Sequence, residues 1–269
     1  MHGIPASWLR HSEQRLVERL AERTTLLYGI AFHSERFADL PEANQYRDVL
    51  VDDSEKLPAA LREAETLFAT RQIRSWRWVP AVDQPLDALV PFLTRHGFAR
   101  CDSHALLLTR WVGAPTEPGV RIVPARAVRA ALREACGTPP SVVTGSPTQG
   151  ARAAEAGLRS AAVEEWLDDP GLDAFVALAQ GRGIAWCALH QVGDIGRLLG
   201  PTSPPGVTNH RGSVEGALVA HCLRLVQRLA LPRICARVAC VDRPQLALLE
   251  SLGFARDAVM TEFVKEAPA

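Results

Sequence analysis

Arg211-Gly212-Ser213-Val214-Glu215-Gly216 is the stretch of this sequence whose residue types point most directly to chemistry. It stands in front of an apolar run, ALVAHCLRLV (217–226), with the character of a helix. The first turn of a helix presents unpaired backbone N–H groups and a partial positive charge. An anion such as a diphosphate placed there accepts those bonds. Glycines let the backbone approach it closely, because no side chain fills the space. The expectation is a loop at 211–216 that cradles an anion, followed by a helix over 216–231.

Other residues with chemical potential are weaker candidates. Gln180-Gly181-Arg182-Gly183-Ile184-Ala185 has a similar composition, but a strand follows it. Gly183 is therefore predicted to serve a hairpin turn. His221, Arg224 and Arg228 fall on one stripe of the long helix, which reads as a solvated face. His190 alternates with Ile184, Trp186 and Ala188, so core or strand edge is the expected place for it, ahead of a substrate groove. Asp194 follows Gly193, where turn chemistry explains it. His210 suits either an anion contact or a plain loop. Trp76 and Trp78 share one strand face and are expected in a core.

The six cysteines form no CxxC pair, and no His cluster joins them at metal-ligand spacing, so no metal site is expected. Cys235 and Cys240 fall on opposite faces of one strand and cannot pair. Lys plus Arg and Asp plus Glu are 30 each. Neither half is a basic body of the kind that attracts nucleic acid or an anionic membrane. The N-terminal MHGIPASWLRHSEQ lacks the apolar core of a secretory signal, and no apolar run is long enough to span a bilayer. A cytoplasmic protein with reduced, mostly buried thiols is the expectation.

The elements that must position these residues follow from periodicity. Helices are predicted at 6–23, 55–70, 86–98, 127–136, 151–168, 216–231 and 243–252. Strands are predicted at 26–32, 46–53, 75–81, 99–111, 120–126, 174–180, 183–192, 195–201, 233–241 and 255–265. The Pro- and Gly-rich 112–119 reads as a linker and 137–150 as a mobile loop. Residues 78–109 and 236–264 also repeat one order: strand, Val-Asp-x-Pro, leucine-rich helix, Gly-Phe-Ala-Arg, strand.

The stretch from about Pro118 to Lys265 resembles the GNAT superfamily of acyl-CoA N-acyltransferases. Three features carry the resemblance. The element order matches. Asp242-Arg243-Pro244-Gln245 leads through a leucine-rich helix to Gly253-Phe254, where the family has Asn, helix and Gly-Phe. Arg211 to Gly216 stands where the family writes Q/R-x-x-G-x-G/A. The resemblance implies an α/β protein with a mixed sheet and two lobes: a shortened GNAT-like copy over 1–112 and an acetyltransferase domain over 118–269. It implies acetyl transfer from acetyl-CoA to an amine of a small molecule or peptide, by a monomer or homodimer. Leu198, Leu199 and Gly200 would meet the pantetheine arm; Arg211, Gly212, Ser213, Val214, Glu215, Gly216, Ala217 and Asp242 would complete the acyl-CoA site. No residue is singled out as the catalytic base; a water chain or the amine's own deprotonation would serve. Val214 replaces the middle glycine, Glu215 adds a carboxylate, and Leu249 stands where the family often has Tyr. These three support the alternative, a non-catalytic binding or regulatory protein. If acyl-CoA binds, Val214→Gly is expected to tighten it.

Overall fold

The computed structural model describes residues 4–111, 113, 120–137, 147–204 and 211–266, without the side chains of 4–5, 147–155 and 211–212. The linker at 112–119 apart from Gly113, most of the predicted loop at 137–150, and His210 lie outside the described residues. The chain divides into two compact units. The larger holds residues up to Ser12 with His104–Ala258, and the smaller holds Glu13–Ser103 with the residues from Val259 on. Helix α1 (Ile4–Val17) therefore begins in one unit and ends in the other.

The smaller unit contains β1 (Glu22–Thr25), β2 (Ile30–His33), β3 (Gln45–Val49), α2 (Leu57–Thr70), β4 (Trp76–Pro80), α3 (Leu86–Arg95) and the start of β5 (Ala99–Leu108). Leu57, Ala60, Leu61, Ala64 and Phe68 recur at three- and four-residue intervals and form the buried stripe of α2. That stripe packs on Trp76, whose ring lies 4.6 Å from Phe68 and 4.9 Å, edge-on, from Phe98. Trp78 is fully buried and meets Tyr46 edge-on at 5.2 Å. Both tryptophans are core residues, as their alternation predicts. Of the strand expected at 26–32, residues 30–32 do lie in β2, while 26–29 are instead the tip of a hairpin. Leu26 N donates to Gly29 O, β1 and β2 pair on either side, and Leu27 is 79% exposed. Gly29 sits so close to β3 that a Cβ would meet Arg47 O at 2.6 Å. An apolar triplet before a glycine reads as a strand, but the turn places it outside the ladder.

The larger unit contains β6 (Arg121–Pro124), α4 (Arg129–Ala135), α5 (Pro147–Trp166), β7 (Leu172–Ala179), β8 (Arg182–Val192), β9 (Ile195–Thr202), α6 (Arg211–Arg228), β10 (Arg233–Ala239), α7 (Arg243–Ser251) and the start of β11 (Phe254–Lys265). Its sheet runs β10-β9-β8-β7-β6, with β9 and β10 parallel, the other pairs antiparallel, and β5 beside β10. The end of β11 pairs with β4 in the smaller unit. One sheet face, through Cys187, Leu189, Leu198, Ile234 and Ala236, packs on the apolar stripes of α6 and α7, including Leu218, Cys222, Leu246 and Leu249.

The β7–β8 hairpin turns on Gln180 (φ 51°) and Gly181 (φ 80°). The predicted turn is there, but Gly183 serves helix packing instead. A Cβ on it would lie 1.8 Å from Ala131 O, so its bare backbone lets α4 seat on β8. The two copies of Gly-Phe also correspond. Gly97 (φ 82°) ends α3 and Gly253 (φ 99°) ends α7, each in the left-handed region, and each is followed by a buried phenylalanine. Among the described residues, no helix is long and apolar enough to cross a membrane, and no group of His, Cys, Asp or Glu could hold a metal ion. No disulfide joins any of the six cysteines.

Candidate functional site

Strands β9 and β10 begin as a parallel pair and then part. Pairing runs from Ile195 with Arg233 to Leu198 with Ala236, while the strands continue to Thr202 and Ala239. The reason lies in β9 itself. Across from it, Trp186 faces Thr202 and Ala188 faces Leu199, so Gly200 and Pro201 together oppose Cys187. Such a bulge bends its strand and raises its twist. Gly200 has φ 84°, and a Cβ there would lie 3.2 Å from both Thr202 N and Trp186 O. The Gly200–Pro201 peptide is cis.

Helix α6 follows the parted strand after residues 205–210. It starts at Arg211, five residues earlier than predicted. The run expected to form a loop is thus its first turn and a half. The cause is burial. Val214 is 2% exposed and belongs to the core with Leu218, which gives this segment a helical apolar stripe that its glycines obscure in the sequence. Val214 has no positive φ, so the steric objection to a β-branched residue there does not arise. Gly216 is also helical, with Leu248 Cδ1 3.7 Å from where a Cβ would stand. Ser213 is half-buried, and Ala217 is buried. Glu215 is 5% exposed and accepts a hydrogen bond from Ser203 Oγ at 2.8 Å, which ties α6 to the segment just beyond β9.

Two features of α7 complete this end of the unit. Asp242 is its N-cap, and its carboxylate accepts from Gln245 N at 3.1 Å. Gln245 Nε2 donates to Pro201 O at 3.0 Å. Neither Gln245 nor Ser203 stands out in the sequence, because each acts through a contact that depends on the bulge. Leu198 is buried, Leu199 half-buried and on the opposite face, and Leu249 fully buried. The structure therefore brings Leu198 to Gly200, the start of α6 and the start of α7 to one end of the larger unit. Chemically, the gap offers backbone polar groups released by the end of pairing, with helix N–H groups nearby.

No protein-family model matches the sequence, and neither does any curated protein. Solved structures do match. A GCN5-related N-acetyltransferase from Kribbella flavida superposes with TM-score 0.61 at 15% identity, covering 99% of this chain and 96% of that one. The fold is that of the GNAT proteins. A GCN5-related N-acetyltransferase from Sphaerobacter thermophilus gives 0.60 at 14% identity, over 90% of this chain and 78% of the other. A tandem GNAT protein from the clavulanic acid biosynthesis pathway gives 0.57 at 15%, over 96% and 88%. Identities this low establish the GNAT fold and leave the activity to be argued from the residues.

Of the weighed histidines, His190 is 1% exposed and belongs to the interior, as expected. His221 differs from its predicted solvated place: its ring packs edge-on against Phe175 at 4.4 Å. Burial, and then Arg224 and Arg228, hold its pKa below the ordinary 6.5. In the smaller unit, burial and then Arg71 do the same to His33. Both histidines favour the neutral form when folded, so their stabilisation is present above about pH 6.5 and is lost as pH falls through their depressed pKa values. Thermal melts between neutral and mildly acidic pH are expected to fall less steeply for His33→Gln/His221→Gln than for the parent. Equal slopes would show that these rings do not carry the dependence.

Proposed function

We propose that the chain is an N-acyltransferase that moves an acetyl group from acetyl-CoA to an amine of a small molecule or peptide. The parting of β9 from β10 beside the start of α6 supports this reading most. Leu198, Leu199 and Gly200 offer backbone to a pantetheine arm, and the first residues of α6, Arg211 to Val214, offer N–H groups to a diphosphate. The donor fits with one adjustment: Pro201 has no N–H, and its carbonyl is held by Gln245, so the arm must rely on Leu199 and Gly200 or displace Gln245. Acetyl-CoA supplies an activated thioester. The amine nitrogen bonds to the acyl carbon, the C–S bond breaks, and the thiolate leaves with the proton that the nitrogen loses. Water or the amine's own deprotonation meets the need for a base.

The same reading takes 118–269 as the acyltransferase half and 1–112 as a shortened copy, in a cytoplasmic monomer or homodimer that binds neither nucleic acid nor membrane. The alternative is a binding or regulatory protein on the GNAT fold, and Leu249 favours it: a fully buried leucine leaves no hydroxyl there to protonate the leaving thiolate.

Titration of the full chain with CoA and acetyl-CoA by calorimetry, with parallel melting curves, tests the reading. Saturable heat and a raised melting temperature are expected. No heat and no thermal shift at about millimolar ligand, an affinity of only about −4 kcal/mol, would sink it. Binding without turnover across a panel of amines would favour the alternative.

A further inference from the structure

The smaller unit gathers exposed apolar residues at the end of its sheet where β3 and β4 stop. Hydrogen bonds between three chain segments define this end. Leu50 N donates to Tyr28 O at 3.1 Å, which ties the tip of the β1–β2 hairpin to the chain leaving β3. Ala81 N donates to Val49 O at 2.9 Å, which ties in the chain leaving β4. Gln84 fastens the two exits together: its Oε1 accepts from Val51 N at 2.6 Å, and its Nε2 donates to Val51 O at 3.2 Å. Each of the three segments so joined leaves one large apolar residue in solvent. Leu27 is 79% exposed, Leu50 52% and Val82 60%. They are three of the six exposed large hydrophobic residues among those described. Apolar residues scattered singly need no explanation, whereas a gathered set marks a surface that something covers.

The charge around them is one-sided. The chain as a whole has 30 acidic and 30 basic residues, yet 48–56 and 82–87 hold six acids and one lysine. Asp48, Asp52, Asp53, Glu55, Asp83 and Asp87 are all exposed, and Lys56 is bound to Asp52 at 2.9 Å. Helix starts attract acids, and Asp53 does accept from Glu55 N. The starts of α2 and α3 offset only about half a charge each, so a negative field remains. This end does not repeat the larger unit's gap. The internal repeat makes β4 the counterpart of β10, and β3 is its parallel neighbour as β9 is of β10. Strands β3 and β4 do not part: after one bulge at Asp48 they pair as far as Val49 and Pro80, and Gln84 takes up both backbone groups of Val51 beyond. Backbone already bonded in this way has little to offer an extended ligand, and the carboxylates repel a diphosphate.

We propose that this end of the smaller unit is a docking surface for a basic peptide segment of a partner protein. Leucine-like side chains of that segment cover Leu27, Leu50 and Val82, and its arginines or lysines face the surrounding carboxylates. An apolar centre with a charged rim is the ordinary anatomy of a protein-recognition surface. It disfavours a small polycation, which would use the acids alone. The surface lies within one unit and does not depend on acyl transfer.

Fluorescence anisotropy with the full chain tests the assignment. The probe is a short labelled peptide of arginine and leucine, beside one with serine for each leucine and one with glutamate for each arginine. The first is expected to bind saturably, the serine peptide about tenfold more weakly, and the glutamate peptide not at all. Raising the salt from about 0.1 to 0.5 M should weaken the first peptide several-fold. Leu27→Ser/Val82→Ser removes exposed apolar side chains without opening the core and should weaken it about tenfold. Glu55→Gln/Asp83→Asn should weaken it about fivefold, while Asp194→Asn, at an exposed acid of the larger unit, should leave it unchanged. Melting curves check that each variant is folded. No saturable binding of the first peptide, equal binding of the serine peptide, displacement by an equal concentration of spermine, an equal loss in Asp194→Asn, or affinity unchanged in the two folded surface variants would each overturn the proposal. So would self-association of the parent that Leu27→Ser/Val82→Ser abolishes, because the surface would then serve a second copy of this chain.

Discussion

Val214→Gly is expected to destabilise the protein by about 3 kcal/mol and to weaken any acyl-CoA complex, the reverse of what the family pattern suggests. The pattern places glycine here, and on a loop a glycine would admit a phosphate. In the structure Val214 lies one turn inside α6, is 2% exposed and packs in the core with Leu218 and Leu246. Removing its side chain forfeits the burial of a valine, about 1.5–3 kcal/mol, and leaves a cavity that the surrounding helices fill only in part. Glycine inside a helix costs about 1 kcal/mol against alanine, and roughly half of that against the valine it replaces. The damage falls on the first turns of α6, the element that would present N–H groups to the diphosphate, so a loosened start also lowers affinity. Chemical denaturation with urea reads the first effect and calorimetry with CoA the second. A variant as stable as the parent that binds CoA more tightly would show that 211–216 acts as a loop in solution and would return Val214 to the site.

The contrast at Val214 shows where the sequence was legible. Element order in the larger unit was readable because its strands alternate and α7 carries a dense leucine stripe ending at Gly253-Phe254. The start of α6 was not readable in the same way. Gly212 and Gly216 interrupt the stripe, and only its burial in the core shows Val214 to be its first member. The turn at Leu26–Gly29 was hidden for the converse reason, since an apolar triplet imitates a strand. The bulge at Gly200 and Pro201, which sets the parting of β9 from β10, depends on register with β8. The pair Ser12 and His190 lies 178 residues apart in the chain. No local pattern brings such groups together, so the contact of Ser12 with His190 could not be read from the sequence.

The internal repeat gives the sharpest test of that difference between pattern and packing. Gly97 and Gly253 are equivalent in sequence, both follow a helix, and both have positive φ, at 82° and 99°. Their surroundings are not equivalent. A Cβ on Gly97 would have nothing within 4 Å, whereas one on Gly253 would lie 1.5 Å from Arg110 O. The close approach is built in: Gly253 O accepts hydrogen bonds from Thr109 N at 3.1 Å and Thr109 Oγ1 at 3.0 Å, which clasp the chain after β5 onto the end of α7. Carbon and oxygen do not approach within much less than about 3.5 Å, so Gly253→Ala must drive the two backbones apart and break that clasp. Its cost is expected to exceed about 4 kcal/mol, with a large fall in melting temperature or in soluble yield. Gly97→Ala meets only the intrinsic penalty of a left-handed alanine, about 1–2 kcal/mol. Side-by-side urea denaturation of the two variants decides the matter. Equal losses would mean that the Gly-Phe signature marks nothing more than a helix stop in both copies, and that Arg110 yields without cost. An unequal pair, with Gly253 much the worse, would mean that one copy of the repeat has been adapted to hold the larger unit's sheet together at β5, while the other remains a simple helix end.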